Sequence, residues 1–374
     1  MTMKMIRRTA GASVAVLGVA LAAAPASAQK IENSYICVFK SDKVAKGQTR
    51  DFANKAVRAN GGSVKFVYKN TIRGFAANIS PQGLARMQEK NPNIAYCEQD
   101  QVMQIVQRGK PDKGGGGTTA PAQVVPWGIT RVKGGQDYTG AGRAWIIDSG
   151  VDLDHADLNV NVPLSTNFTS ERDADDGNGH GTHVAGTIAA INNDIGVVGV
   201  AAGAEVVGVK VLGRRGSGSN SGVIAGVDYV GANAKPGDVA NMSLGGGASS
   251  ALDNAILAAA QLSGASFTLA AGNESQNANN VSPARVNGNR IYTVSAFSQG
   301  DRWASFSNFA NPPIDFAEPG VAIGSTYKDG GYATLSGTSM AAPHLAGILL
   351  WGAAKTDGTV IGDPDGQADT IGTR

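Results

Sequence analysis

Only two cysteines and four histidines occur in the 374 residues, and aromatic side chains make up 6% of the chain. So few cysteines exclude a disulfide-dense scaffold, and because they are Cys37 and Cys97, the larger later part of the chain cannot be cross-linked. The zinc-protease pattern of two histidines four apart around a glutamate is also missing: His180 and His183 are three apart, with glycine and threonine between them. After residue 28 no run reaches the roughly 18 apolar residues of a membrane span. A net charge of +2, from 32 Lys+Arg against 30 Asp+Glu, gives no argument for a nucleic-acid partner. Glycine is abundant, at 51 residues, but has no G-X-Y period, which excludes collagen.

What is present divides the chain. Lys4, Arg7 and Arg8 precede an apolar stretch of small residues that ends in Ala26-Ser27-Ala28, the pattern of an export signal over 1–28. Residues 1–121 carry 18 Lys+Arg against 7 Asp+Glu, whereas residues 122–374 carry 14 against 23. Between these oppositely charged pieces, residues 108–121 hold Gly114 to Gly117 and read as an exposed linker open to cleavage. The charge split invites electrostatic docking of a basic segment on an acidic one.

Within 29–107 the strand and helix signals run in the order βαββαβ, an α+β ferredoxin-like arrangement. A strand over Ser34–Lys40 is followed by a helix over Gln48–Asn60 that stops at Gly61-Gly62, then by strands over Ser63–Tyr68 and Gly74–Ile79. Ser80 is the expected N-cap of a helix with Pro81 at its first position, and a last strand spans Ile94–Val106. For the two cysteines, buried apolar packing and a bridge between neighbouring strands both stay open. From residue 122 to 374, apolar β-rich runs such as Trp145-Ile146-Ile147 and Val206–Val211 alternate with Ala-rich helical runs. That alternation predicts an α/β domain with a mostly parallel, doubly wound sheet, in which function gathers at the carboxyl ends of strands.

Three segments carry reactive chemistry. Asp148 closes a buried strand and is followed by Ser149-Gly150. His180 opens a helix in Gly179-His180-Gly181-Thr182-His183-Val184-Ala185-Gly186-Thr187. As a general base it needs one ring nitrogen free toward substrate and the other fixed by a carboxylate, for which Asp148 is the candidate. Ser339 lies in the first turn of a helix, where free N–H groups and the positive dipole end favour a developing anion. Pro343, four residues on, has no N–H for the Ser339 carbonyl.

The order Asp, His, Ser and the three strings around them closely resemble the subtilisin-like serine proteases, over roughly residues 125–353. The resemblance implies a secreted serine endopeptidase acting through an acyl-enzyme, with Ser339 as nucleophile, His180 as base and then acid, and Asp148 orienting the imidazole. It implies Asn273, in Ala271-Gly272-Asn273-Glu274, as oxyanion-hole donor. His155, His183 and His344 are then structural. Gly216-Ser217-Gly218 and Ser243-Leu244-Gly245-Gly246 resemble the backbones that clamp an extended substrate, and Ser243–Gly246 with Ala270–Asn273 would wall an uncharged P1 pocket preferring apolar residues.

The βαββαβ segment resembles the family's propeptide, which implies a self-processing precursor inhibited by its own N-terminal domain. The proteinase K-like branch starts its mature chain shortly before a sequence similar to Pro126-Trp127-Gly128, which puts the cut between about Lys110 and Ala122. Asp315 matches a position that helps bind a structural calcium in that branch. No cofactor is expected for catalysis, and the partners are protein and peptide substrates, with no nucleic acid, no membrane and a monomeric state. Export to the medium or the periplasm follows from the leader. The chain departs from that branch in lacking its disulfides and in having a short polar tail, Thr356 to Arg374, with no helical pattern.

Overall fold

The computed structural model describes residues 29–113 and 121–374. The expected leader, 1–28, and the middle of the expected linker lie outside the described residues.

In the small unit the elements are β1 (Lys30–Phe39), α1 (Thr49–Arg58), β2 (Ser63–Tyr68), β3 (Gly74–Asn78), α2 (Pro81–Lys90) and β4 (Ile94–Ile105). This is the βαββαβ order expected from the sequence. All the pairings are antiparallel, with β1 between β3 and β4 and with β2 on the far side of β3. Ser80 caps α2 by accepting from Gly83 N–H at 3.2 Å, ahead of Pro81. Cys37 and Cys97 face each other on β1 and β4 and are joined as a disulfide, so the bridging alternative is the one realised. Beyond β4 the expected linker is not all irregular: Arg108–Lys113 forms a strand, β5.

The large unit contains β6 (Ala144–Asp148), α3 (His180–Ala189), β7 (Glu205–Lys210), β8 (Ser217–Ser219), α4 (Asn220–Asn233), β9 (Val239–Met242), β10 (Leu244–Gly247), α5 (Ser250–Ser263) and β11 (Ser266–Ala270). It continues with β12 (Ile291–Ser298), β13 (Ile314–Pro319), β14 (Ile323–Tyr327), β15 (Gly331–Ser336), α6 (Thr338–Leu350), β16 (Lys355–Thr359) and β17 (Thr370–Thr373). Its main sheet of eleven strands runs β16-β17-β13-β12-β11-β9-β6-β7, with the short strands Asn159–Val160 and Thr166–Asn167 beside β7, and is parallel except at the β16–β17 edge and where Arg302–Trp303 pairs with β12. Buried on both faces, β6 and β9 have no exposed residue, which is why they read as continuous apolar runs rather than alternating ones.

The helices start where short polar side chains can cap them. Ser219 accepts from Gly222 N–H and Ser249 from Leu252 N–H, both at 3.1 Å, while Gly264 ends α5 in the left-handed region at φ 70°. The polar tail forms the β16–β17 hairpin and adds a parallel strand beside β13. Its glycines and aspartates hid that strand from a reading based on periodicity.

Besides strand pairing, the two units meet through carboxylates placed at helix starts and at a turn. Asp100 accepts from Ser221 N–H (3.0 Å) and Oγ (2.6 Å) at the start of α4, and Glu98 reaches Ser249 Oγ and Ala251 N–H at the start of α5. In return Asp228 of α4 accepts from the N–H groups of Asn70 and Thr71 in the β2–β3 turn, at 2.9 and 2.8 Å. Among the described residues no ion pair joins the two units.

Candidate active site

Parallel strands deliver their ends to one side of the sheet, and that is where the reactive residues converge. Asp148 ends β6, His180 begins α3 and Ser339 is the second residue of α6. All three are fully buried beneath the small unit. His180 Nδ1 stands 2.9 Å from Asp148 Oδ1 and 3.0 Å from Oδ2, and its Nε2 has no partner among the described residues. A carboxylate on Nδ1 fixes the tautomer that leaves Nε2 free to take a proton.

A buried brace sets the Asp148–His180 geometry. Asp176 Oδ1 accepts from Ser149 Oγ (2.9 Å) and Gly179 N–H (2.9 Å), and its Oδ2 accepts from Thr182 N–H (2.9 Å) and Oγ1 (2.7 Å). Ser149 Oγ in turn accepts from Gly181 N–H at 3.0 Å. One carboxylate thus ties the strand that carries Asp148 to the helix start that carries His180. Burial pushes the Asp176 carboxyl up, and these donors pull it back. The sequence offered only an acid before a glycine-rich approach, too weak a signal to single out Asp176. Lys210, directly opposite Asp148 on β7 and fully buried, donates to Ser149 O at 2.6 Å and Asp175 O at 3.1 Å.

Ser339 is held by a reciprocal pair of bonds. Its Oγ donates to Ser243 O at 2.9 Å, and Ser243 Oγ donates to Ser339 O at 2.8 Å. The second bond supplies the partner that Pro343 denies the Ser339 carbonyl. Asn273, 7% exposed, accepts from Thr338 N–H (2.9 Å) and Oγ1 (3.0 Å) on its Oδ1. Its Nδ2 has no partner among the described residues. The Ser339 N–H, at the same helix start, donates to Val106 O at 3.3 Å.

The backbone segments named for substrate contact carry a peptide strand in this structure, the end of β4. Ser217–Ser219 pair antiparallel with Gln104–Val102, and Leu244 and Gly245 pair with Ile105 and Gln104. Gly216 O accepts from Ile105 N–H at 3.0 Å, and Ser243 O from Val106 N–H at 3.3 Å. Gly246 packs so closely on Met103 that a Cβ there would stand 2.5 Å from its sulfur. Beside this strand lies a cavity of about 560 Å³, lined by Val106, Gly245, Gly246, Ala270, Gly272 and Glu274, among others. Glu274, which the uncharged-pocket reading left out, accepts from Asn308 Nδ2 at 2.8 Å. Ala271 packs with Ala278, Ala284 and Ile314, and Ala284 in turn lines this cavity.

The other histidines serve the fold. Burial lowers His183 to about 3 and His344 to about 4, so both are neutral, bonded to Ile323 O (3.0 Å) and Met340 O (2.7 Å). His155 contacts Gly331 O at 3.0 Å. Asp315 is exposed, with Oδ2 accepting from Thr293 N–H at 2.9 Å. Among the described residues no three His, Cys, Asp or Glu side chains cluster to hold a metal ion.

A mostly parallel α/β sheet bearing an Asp–His couple and a serine at a helix start, beside a strand-binding cleft, defines a serine hydrolase of peptide chains. Residues 145–355 match the model of the subtilase family, Peptidase_S8. The chain is 40% identical over 336 residues to alkaline serine exoprotease A of Vibrio alginolyticus, covering 85% of this chain and 60% of that protein. It is 36% identical over 335 residues to subtilisin E of Bacillus subtilis (87% and 82% covered). Among solved structures, a cold-adapted subtilisin-like serine proteinase matches with a TM-score of 0.58 and 38% identity, over 66% of this chain and 96% of that one. The chain belongs to the subtilase family and is a serine endopeptidase.

Proposed function

We propose that this chain is the precursor of an exported serine endopeptidase that processes itself and then cleaves proteins at extended segments, with an apolar residue preferred at P1. The observation that carries this reading is the peptide strand already seated in the cleft, with the Val106 carbonyl accepting from Ser339 N–H at 3.3 Å. In the reaction, Ser339 Oγ turns from Ser243 O toward His180 Nε2, gives up its proton there and attacks the carbonyl carbon. The tetrahedral oxyanion is met by the Ser339 N–H and Asn273 Nδ2, and Asp148 stabilises the imidazolium. His180 then protonates the leaving amine, and water hydrolyses the acyl-enzyme by the same steps in reverse order.

No cofactor takes part in these steps. The segment 29–107 acts as an intramolecular inhibitor: its strand β4 fills the clamp formed by Gly216, Ser217, Gly218, Ser243, Leu244, Gly245 and Gly246. The leader at 1–28 supports export to the medium or the periplasm, and no helix among the described residues is long and apolar enough to cross a membrane. The mature enzyme is proposed to be monomeric. A structural calcium held in part by the Asp315 carboxylate would be established by a rise in Tm on calcium addition that Asp315→Ala abolishes.

The decisive experiment is Ser339→Ala. The purified variant should remain full length, hydrolyse no peptide and take up no fluorophosphonate. Normal self-processing in that variant would remove Ser339 from the mechanism.

A further inference from the structure

We propose that the first bond this precursor cuts is Val106–Gln107, ahead of the glycine-bearing segment, and that the new end stays on the enzyme as a strand over the leaving-group side of the cleft. This rests on the self-processing reading above and specifies its site, which the sequence alone placed between Lys110 and Ala122.

The bond is identified by which carbonyl reaches the nucleophile. Val106 O accepts from Ser339 N–H, and a Cβ built on Gly337 would lie 2.6 Å from Val106 O and 2.9 Å from Asn273 Nδ2. Val106 O and Asn273 Nδ2 both border Gly337, the oxygen bonded to the Ser339 N–H alone, and Gln107 Cα lies 3.2 Å from that same Cβ position. Register is held from two sides, since β4 is a central strand between β8 and β10. A slip of one residue would turn every side chain to the opposite face and take Val106, 7% exposed, out of the cavity beside Gly245. No residue in 110–122 can replace Val106 while this ladder stands.

Past the bond, the chain does not leave the surface. Arg108 pairs with Ser336, Asp112 with Thr334 and Lys113 with Ala333, so β5 is the third strand of the β14–β15 sheet. β15 leads directly into the helix that carries Ser339. In the reaction the Val106 C–N bond breaks, the serine ester forms on Val106 and His180 passes its proton to the Gln107 amine. Water then releases Val106 as a carboxylate. The fragment ending at Val106 is free to dissociate, but Gln107–Lys113 remains covalently joined to the catalytic unit and competes with substrate at a high effective concentration. A second cut beyond Lys113, in the segment where the sequence reading put its cleavage, is needed to clear the cleft.

The test is a time course of the purified full-length precursor followed by intact mass and N-terminal sequencing. The expected first products are a fragment ending at Val106 and a chain beginning at Gln107, with termini beyond Lys113 appearing later. A first new terminus between 110 and 122, with no chain starting at Gln107, would overturn the assignment. No cutting at all, together with an unlabelled Ser339, would instead count against the self-processing reading. Val106→Asp, which sets a carboxylate beside Glu274, should slow the appearance of Gln107 at least tenfold; if that variant does not fold, the wild-type time course still decides. With the 29–106 fragment removed, the Gln107 species should cleave a peptide spanning both sides of the scissile bond several-fold more slowly than the later species, and a peptide anilide equally fast. Equal rates on the long peptide would refute the retained strand.

Discussion

Replacing Asn273 with alanine separates two jobs that one side chain performs. Nδ2 has no partner among the described residues and is the donor proposed for the oxyanion, while Oδ1 accepts from the N–H and hydroxyl of Thr338 at the start of α6. Loss of the donor should lower kcat by about 10² to 10³, or roughly 3–4 kcal/mol; that figure was measured on the oxyanion-hole asparagine of subtilisin, a member of this family. KM should hardly change, because the contact strengthens only as charge develops on the oxygen. The second loss is structural: a buried Thr338 N–H left without an acceptor costs about 1–3 kcal/mol. At about 2–4 °C per kcal/mol for a unit of this size, Tm should fall by several degrees. Asn273→Asp keeps an acceptor for Thr338 but sets a carboxylate oxygen against the oxyanion. It should retain most of the Tm and lose at least as much kcat. Steady-state kinetics with calorimetry on the mature enzyme reads both. A kcat loss below tenfold, or a loss carried by KM, would refute the assignment of Nδ2 to the oxyanion hole.

Ser243→Ala strands the buried Ser339 carbonyl and should cost about 1–3 kcal/mol, and adding Pro343→Ala, which restores an N–H four residues on, should recover part of it in a double-mutant cycle read by Tm. In an uncut Ser339→Ala precursor, Asp100→Ala removes the acceptor for Ser221 N–H at the start of α4 and should lower Tm by a few degrees, with Asp100→Asn intermediate. Burial raises the Asp369 carboxyl to about 6, above its ordinary value near 4. The folded state therefore holds that proton more tightly than the unfolded state. Its stability contribution is full below about pH 4 and is lost as pH rises through about 6. Asp369→Asn should flatten that part of the Tm–pH profile, and an unchanged slope would show that Asp369 does not titrate there.

The legible parts of this protein were those with local signatures. Ser80-Pro81 marked a helix start because cap and first turn are neighbours in sequence, and the runs around Trp145 and Val206 marked buried strands because both faces of those strands are covered. The reactive strings around Asp148, His180 and Ser339 were legible for the same reason, since each lies where a strand ends or a helix begins. The tail strand Thr370–Thr373 was not, because its place is set by pairing with β13 rather than by its own pattern. Net charge pointed to a basic segment on an acidic one but not to the particular bonds between them, among them those from Glu98 and Asp100 to helix N-termini and the β4 ladder.

The sequence by itself determined the family, the order of the reactive residues and the elements that carry them, because these depend on contacts a few residues apart. Only the tertiary structure decided which carbonyl faces Ser339 and that Ser243 completes the bonding Pro343 interrupts. Each of these is a matter of register or approach between segments scores of residues apart, fixed by pairing across the fold and invisible to any local pattern.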